Sequence, residues 1–174
     1  MRAAPSEILR VTKFSPRRGE NFVTRKISLG AARIRAGQQA EILLGNLDSC
    51  RDWGWAPEFV TAMWQSLQAK EARDYVLATG KPCSVREFAV AAFAALDINL
   101  EFKGRGRAEV ARRQDTGAVV LRIDPRFYRP VEPTTLVGDA RLARKALGWR
   151  AKVAGRDVAR LMTQADYAAL KGEH

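Results

Sequence analysis

Three arginine-bearing stretches contain the residue types best able to bind an anion. The first covers residues 15–26 and contains Arg18 and Lys26, the second covers residues 44–54 around Arg51, and the third covers residues 124–132 around Arg129. Each also contains glycine, proline or asparagine, so each is predicted to be a loop. A planar guanidinium on a loop can bind two phosphate oxygens at once. On residue types alone, phosphate binding and ordinary solvated surface charge are equally good interpretations.

The usual catalytic constellations do not occur in the sequence. The single histidine is His174, the last residue, so neither a histidine-based triad nor a histidine-ligated metal site is expected. Gly104 and Gly106 form a Gly-x-Gly, but no third glycine follows to complete a dinucleotide-binding turn. Tyr167 and Lys171 have a spacing at which a lysine can lower the proton affinity of a phenol. Because they stand at the end of the chain, we interpret them as two residues of a terminal amphipathic helix.

The composition fits a folded domain whose partner is anionic. Hydrophobic residues make up 47% of the 174 residues and charged residues 28%, as in ordinary globular proteins. Lys and Arg number 30 against 19 Asp and Glu, which gives a net charge of +11. That excess favours a nucleotide or a nucleic acid. It is spread along an alanine- and arginine-rich chain rather than concentrated in a block, so nucleic-acid binding is the last of the functional alternatives.

The sequence also predicts the compartment. No apolar run approaches the roughly 20 residues that span a bilayer, and residues 1–5 contain no stretch of signal-peptide type. Cys50 and Cys83 have neither metal-ligand nor redox-motif spacing, so they are predicted to be free thiols in a reducing compartment. We therefore expect a soluble cytoplasmic protein with no membrane partner.

Four apolar stripes with helical spacing, together with one short capped segment, predict the helices that position these loops, and each stripe is expected to be core. The stripes are Val23, Ile27, Ala31 and Ile34, ended by Gly37; Ala56, Phe59, Val60, Met63, Trp64 and Leu67; Val85, Phe88, Ala92, Phe93 and Leu96, after a capping box of Ser84 and Glu87; and Val158, Leu161, Met162 and Ala165. The short helix is capped by Asp139 and ends before Gly148.

Short extended segments alternate with these helices. Strands are predicted at residues 41–45, 74–78, 99–103 and 119–123, and the polar, arginine-rich segment 104–117 is predicted to be a mobile loop. Alternating strands and helices indicate an α/β domain.

Together, in this order and spacing, the three stretches resemble the GDP-mannose 4,6-dehydratases, which are extended short-chain dehydrogenases. The resemblance runs from about Ser15 to about Asp166 and includes residues 74–80 and 84–88. It implies the C-terminal, substrate-binding part of a Rossmann-type fold. Members of the family convert GDP-mannose to GDP-4-keto-6-deoxymannose. NADP takes a hydride from C4, water is eliminated across C5 and C6, and the hydride returns to C6.

The resemblance also implies roles for five residues. Arg51 and Arg129 would hold the diphosphate, and Glu132 would accept hydrogen bonds from the ribose hydroxyls. Lys26 would approach the guanine. Arg18 matches a cofactor-contacting arginine on a loop that reaches across a subunit interface of the tetramer.

This chain departs from the family pattern at its start. The family has Asn-His-Glu where this chain has Thr12, Lys13 and Phe14, and an apolar residue of a buried strand where it has Arg10. The glycine-rich turn, the catalytic Thr and Glu and the Tyr-Lys pair of the family belong to an N-terminal Rossmann half that would precede residue 1. We therefore divide the chain into a divergent start, residues 1–14, and a sugar-nucleotide-binding region, residues 15–174. We assign no catalytic residue and expect no turnover from the chain alone.

Three functional hypotheses follow from the resemblance. In the first, the chain is the substrate-binding half of a lyase, a GDP-mannose dehydratase, which forms a homo-oligomer or associates with a dehydratase subunit. In the second, it belongs to another sugar-nucleotide epimerase or reductase of the same family. In the third, it is a non-catalytic or regulatory module that associates with a full-length dehydratase.

Overall fold

The computed structural model describes residues 9–11, 13–71, 73–128 and 135–172. In chain order the elements of these residues are β1 (Leu9–Val11), β2 (Lys13–Phe14), α1 (Val23–Arg35), β3 (Ile42–Leu44), β4 (Cys50–Asp52), β5 (Gly54–Trp55), α2 (Ala56–Leu67), β6 (Tyr75–Leu77), β7 (Pro82–Ser84), α3 (Val85–Ala94), β8 (Leu100–Lys103), β9 (Val110–Arg113), β10 (Val119–Ile123), β11 (Thr135–Leu136), α4 (Arg141–Leu147) and α5 (Gly155–Lys171). The α/β class predicted from the sequence is confirmed.

The strands form small sheets of mixed direction. In the largest sheet the order is β3-β10-β9-β8, with β10 parallel to β3 and antiparallel to β9. A second sheet has the order β11-β4-β7, and two parallel pairs, β1 with β6 and β2 with β5, complete the described strands. The four strands predicted from the sequence are present, and each observed strand lies within its predicted range.

The main core lies among three of the helices. Helices α1, α3 and α5 pack against one another, and their apolar stripes bury Ile27, Phe88, Phe93, Val158 and Met162. In the α5 stripe the prediction of core is wrong for Leu161 and Ala165, which are exposed. Helix α3 begins as predicted, because the Ser84 hydroxyl accepts from the Glu87 N–H at 3.1 Å and the Glu87 carboxylate accepts from the Ser84 N–H at 2.9 Å. The capping box and the stripe spacing were sufficient to locate these helices.

A second, smaller core joins α2 and α4 to strand β6. Phe59, Tyr75, Leu77 and Trp149 are buried there, and the rings of Phe59 and Trp149 meet edge to face with centroids 5.1 Å apart. Tyr75 and Leu77 alternate with the exposed Val76, so β6 has one covered face and one open face.

The prediction that the whole apolar stripe of α2 is core is wrong. Phe59 and Ala62 are buried, whereas Val60, Trp64 and Leu67 are 57%, 62% and 72% exposed. The apolar arc of this helix is wider than the surface that it buries in the smaller core, so its flank remains in solvent.

The predicted mobile loop at residues 104–117 is also wrong. Its second half contains β9, which pairs with β8 on one side and β10 on the other. Ala111 is fully buried, while Arg113 pairs with Asp115 at 2.6 Å in the turn that follows. Arginines on a strand can keep their charged ends in water while the backbone completes a ladder on both sides, so charge content did not exclude a strand.

Asp139 lies one position further from α4 than predicted. The residue that caps this helix is Ala140, and the Asp139 carboxylate accepts from the N–H of Arg141, the first helical residue, at 3.0 Å. The predicted stop is confirmed, because α4 ends at Leu147 and is followed by Gly148 with a φ of +66°.

A buried carboxylate joins three segments of the fold. Asp52, 2% exposed at the end of β4, accepts hydrogen bonds from the Thr79 N–H at 2.9 Å, the Thr79 hydroxyl at 2.6 Å and the Gly80 N–H at 2.8 Å. The Gly138 N–H lies 3.4 Å from the same carboxylate. These bonds hold the loop after β6 and the segment before α4 against β4, the strand that carries Arg51.

Replacement of Asp52 tests this network. In Asp52→Asn one carboxylate oxygen becomes an amide that faces backbone donors, and hydrogen bonds to charged groups contribute about 1.5–3 kcal/mol each. We expect the free energy of unfolding to fall by about 2–3 kcal/mol, measured by urea denaturation. The matched control is Asp157→Asn, which loses an exposed pair with Arg160. It should change stability by less than about 1 kcal/mol. Equal losses in the two variants would contradict the role given to Asp52.

Candidate functional site

A cavity of about 460 Å³ opens where two parallel strands end side by side. Its volume is in the range that holds a small organic ligand. The cavity is lined by cations (Arg18, Lys26, Arg51), by neutral polar residues (Asn21, Asn46, Ser49) and by apolar residues (Phe22, Val23, Leu43, Leu44, Gly45, Trp53, Val85, Phe127). All three arginine-bearing stretches of the sequence contribute to this list.

The parallel pairing of β3 with β10 brings two of those stretches together. Leu44 and Ile123 are register partners, and the Asp124 N–H donates to the Leu44 carbonyl at 2.8 Å. The two backbone segments that follow these strands then come so close that a Cβ on Gly45 would lie 2.1 Å from the Phe127 carbonyl oxygen. Only glycine allows this approach, which places Phe127 on the cavity wall.

The N-terminus of α1 forms another part of the wall. The helix begins after Phe22 without a side-chain cap and without an acidic residue in its first turn. The N–H groups of a first turn have no partners within the helix and carry the positive end of its dipole. Asn21, Phe22 and Val23 line the cavity here, so the helix start favours an anion in it.

Lys26 lies one turn into α1 and stacks on an aromatic ring. Its Nζ is 3.6 Å from the centroid of the Phe127 ring. Partial burial lowers the pKa of Lys26; Asp124 opposes that shift and Arg126 adds to it. The Asp124 carboxylate is also paired with Arg126 at 2.6 Å, so both charges lie close to Lys26.

Arg18 reaches the cavity from the loop between β2 and α1. The loop is tightened by a hydrogen bond from the Arg18 N–H to the Ser15 carbonyl at 3.1 Å, and the guanidinium carbon lies 3.7 Å from the Phe22 ring centroid. Burial lowers the pKa of Arg18, which still leaves a permanent cation at physiological pH.

Arg51 enters from the middle of β4, between β7 and β11. One of its guanidinium nitrogens donates to the Cys50 carbonyl at 2.7 Å, which fixes the side chain along the strand. Nearby, the Asn46 side-chain oxygen accepts from the Asp48 N–H at 2.9 Å, so its amide nitrogen adds a neutral donor to the wall.

The turn that carries Asn46 and Ser49 is anchored to α3. The Val85 and Arg86 N–H groups donate to the carbonyls of Ser49 at 3.1 Å and Leu47 at 2.9 Å. The Arg86 guanidinium binds the buried Glu109 carboxylate with both terminal nitrogens and also reaches Asp48 at 2.7 Å. These contacts raise the pKa of Arg86, with the Glu109 hydrogen bond as the largest cause.

The charged residues among the described lining of the cavity are all of one sign. Among the described lining residues there are three cations and no carboxylate. The neighbouring cavity of about 350 Å³ shares Lys26, Leu43 and Phe127 but adds Glu20, Glu41, Arg33 and Arg126, which are of both signs. The first cavity is therefore the one that selects an anion.

Among the described residues, one predicted contact to a dinucleotide cofactor lies in the cavity, and no pyrophosphate-binding turn is present. The pair Gly104 and Gly106 leads into a single 3-10 turn and then β9, so it does not open an α-helix as a pyrophosphate-binding turn does. Arg18 is the one predicted cofactor contact that the structure places in the cavity.

The Tyr167 and Lys171 pair lies elsewhere. The two residues line a third cavity of about 280 Å³ with Arg35 and Asp97, and this cavity shares no lining residue with the first. The Lys171 ammonium lies over the Tyr167 ring, 4.9 Å from its centroid. The described residues contain no cluster of three or more His, Cys, Asp or Glu side chains able to hold a metal ion.

The structure thus brings together three of the five site residues predicted from the sequence: Arg18, Lys26 and Arg51. Arg129, Glu132 and the terminal His174 lie outside the described residues. Asn46 and Phe127 lie within the three arginine-bearing stretches, but no role was predicted for either residue. Their signals were an asparagine directly after a strand and an aromatic ring next to an arginine.

Comparison with known proteins gives a family and a fold. The sequence model of the family described as GDP-mannose 4,6 dehydratase matches residues 7–162. Relatives named GDP-mannose 4,6-dehydratase are 47% identical over 158 residues in Sinorhizobium fredii and 44% identical over 157 residues in Homo sapiens. These matches cover 91% and 90% of this chain but 45% and 42% of the relatives, so the chain spans less than half of their length.

Solved structures with the same fold are more distant in sequence. The structure of RMD from Pseudomonas aeruginosa complexed with NADPH superposes with a TM-score of 0.75 at 17% identity, over 94% of this chain and 48% of that one. A UDP-glucose 4-epimerase from Bifidobacterium longum in complex with NAD+ and UDP gives 0.63 at 18% identity, over 96% of this chain and 48% of that one. No helix of the described residues is both long and apolar enough to cross a membrane.

The pKa of Lys26 tests the electrostatics of the cavity. We expect it to lie below the ordinary value of 10.5, because burial disfavours the ammonium form. Asp124→Asn should lower it further, since a favourable charge is removed, and Arg126→Gln should raise it, since a repelling one is removed. NMR titration of the lysine Cε resonance measures all three. Shifts of the same sign in the two variants would show that Lys26 is not held between these charges.

Proposed function

Because this chain belongs to the GDP-mannose 4,6-dehydratase family, we propose that its cationic cavity binds the GDP part of GDP-mannose. On this proposal the chain is the sugar-nucleotide-binding part of a dehydratase, a lyase that forms GDP-4-keto-6-deoxymannose. The relatives that carry this name are more than twice as long as the segment they share with this chain, so the activity of a whole dehydratase is part of the proposal.

The observation that carries the proposal is the positive charge of the described residues that line the cavity. Three cations from three separate elements and the uncapped start of α1 face one space with no carboxylate among the described lining residues. A diphosphate offers several oxygens to such a cluster, and charge-assisted bonds to phosphate are about twice as strong as neutral ones.

The roles within the cavity follow from position. Arg51, held along β4, would bind the diphosphate together with Arg129, and Glu132 would accept from the ribose hydroxyls. The guanine would lie near Lys26 and Phe127, where a planar ring and a cation are stacked 3.6 Å apart. Arg18 would face the cofactor side of the bound nucleotide.

NADP as the cofactor rests on the family resemblance and on the NADPH complex of the structural neighbour from Pseudomonas aeruginosa. The described residues of this chain supply one candidate contact, Arg18, and no pyrophosphate-binding turn. A homo-oligomeric state and a cytoplasmic location remain predictions.

Calorimetric titration with GDP tests the proposal. We expect the 174-residue chain to bind GDP more tightly than ADP or UDP. Arg51→Ala should weaken GDP binding by about 1.5–3 kcal/mol, or about 10- to 150-fold in Kd, the value of one charge-assisted hydrogen bond. Arg129→Ala should cause a loss of the same order.

The matched control is Arg105→Ala, because Arg105 is exposed and does not line the cavity. It should bind GDP as the unchanged chain does. Unchanged affinity in Arg51→Ala would remove this residue from the site. Equal affinity for GDP, ADP and UDP would contradict guanine specificity and favour another sugar-nucleotide enzyme of the family, and tight, salt-dependent DNA binding would favour a nucleic-acid partner.

A further inference from the structure

Arg86, the second residue of α3, holds the turn that follows β3. Its backbone N–H donates to the Leu47 carbonyl at 2.9 Å, and its guanidinium donates to the Asp48 carboxylate at 2.7 Å. The N–H of the preceding residue, Val85, donates to the Ser49 carbonyl at 3.1 Å. Three consecutive residues of the turn are therefore bound from the first turn of one helix.

The Arg86 side chain is also fixed to the largest sheet. Both terminal guanidinium nitrogens bind the Glu109 carboxylate, and the guanidinium carbon lies 4.8 Å from the centroid of the Phe102 ring. Glu109 is buried and stands directly before β9, which belongs to the same four-stranded sheet as β3. The turn is therefore connected to that sheet twice, through its own backbone and through Arg86.

This turn determines how the Asn46 side chain is oriented. Asn46 lines the cationic cavity, and its side-chain oxygen accepts from the Asp48 N–H at 2.9 Å. That bond occupies the oxygen and leaves the amide nitrogen as the donor for the cavity. Since Arg86 holds the carboxylate of the same Asp48, the orientation of this donor depends on Arg86, which does not itself line the cavity.

Stability alone is a weak reason for such an arrangement. A guanidinium and a buried carboxylate lose hydration when they meet inside a protein, and apolar residues of similar volume are often at least as stabilising. A planar guanidinium instead fixes geometry, because it sets both the distance and the direction of its partners. Arg86 binds the carboxylates of two separate segments, Asp48 and Glu109, with one such group.

We propose that Arg86 is a positioning residue of the nucleotide site. Together with Glu109 and Asp48 it orients the Asn46 amide to donate to an oxygen of the bound nucleotide; we call this chain of contacts the Arg86 relay. The relay rests on the nucleotide binding proposed above and adds to it a group that acts without touching the ligand. A donor that is oriented before the ligand arrives loses less conformational entropy on binding.

A double-mutant cycle on GDP affinity tests the relay in the 174-residue chain. Arg86→Lys keeps the charge but not the planar group that binds two carboxylates, and Asn46→Ala removes the donor. Each should raise the Kd for GDP about 2- to 10-fold, the value of one neutral hydrogen bond. In the Asn46→Ala background, Arg86→Lys should change the Kd by less than about 1.5-fold, because the donor that it orients is already gone.

The matched control is Arg113→Lys. The Arg113 side chain is 22% exposed against 29% for Arg86, it pairs with Asp115 at 2.6 Å, and it does not line the cavity. This variant should leave the Kd for GDP unchanged in both backgrounds. Equal effects of Arg86→Lys in the two backgrounds, or an Asn46→Ala variant that binds GDP as the unchanged chain does, would overturn the relay.

A second variant guards against misfolding of Arg86→Lys. Asp48→Asn removes the charge that binds Arg86, but it lies on a side chain of 75% exposure and leaves the pair of Arg86 with Glu109 in place. It should raise the Kd for GDP about twofold more in the unchanged background than in the Asn46→Ala background. The lost surface charge is common to both backgrounds and cancels, so equal effects would again count against the relay.

NMR of the ligand-free chain separates the relay from the proposed function. In Arg86→Lys the side-chain amide resonances of Asn46 should move towards those of free asparagine, and the Asp48 N–H should exchange faster with solvent. The N–H of Met162, in the core of α5, should exchange as before. Unchanged Asn46 and Asp48 signals would refute the positioning role. Failure of the unchanged chain to bind GDP would instead contradict the proposed function, while these signals still decide what Arg86 holds in place.

Discussion

The parallel pairing of β3 with β10 is the constraint on which the candidate site depends. Since both strands run in the same direction, their carboxyl ends meet at one edge, and the turns that follow them must leave the sheet together. Ligand sites of open α/β sheets lie at such edges. Gly45 allows the backbones to approach until the Phe127 carbonyl occupies the space of a side chain. Two segments about 80 residues apart in sequence thereby become neighbouring walls of one cavity.

The described lining residues of the cavity include three cations, Arg18, Lys26 and Arg51, and no carboxylate. Asp124, the acidic residue that acts on Lys26, is paired with Arg126 at 2.6 Å. Bringing three cations toward a low-dielectric space costs free energy, and the lowered pKa values of Arg18 and Lys26 are the signature of that cost. A bound diphosphate would offset it.

Sequence reasoning located what depends on local pattern. The capping box of α3, the stripes of α1 and α5 and the strand at residues 119–123 are encoded by neighbouring residues, and the structure has them. It failed where a tertiary partner decides. Strand β9 forms because β8 and β10 supply hydrogen-bonding partners on both of its sides. The two- and three-residue strands around Arg51 are too short for an alternation of apolar and polar residues to be recognised. The exposure of Trp64 could not be predicted either, since an apolar stripe looks the same whether its partner lies in the described chain or outside it.

The sequence predicted the types of residue in the candidate site but not their arrangement in space, because that arrangement also depends on tertiary contacts. Arginines beside turn formers predicted loops with anion-binding side chains, but only the strand register could show that Arg18, Lys26 and Arg51 face one space. The loop that carries Arg18 starts directly after β2, which follows β1 along the chain and pairs with β5. Because β2 is held on β5, the start of the Arg18 loop is held as well. A cation kept in place before its ligand arrives loses less conformational entropy on binding.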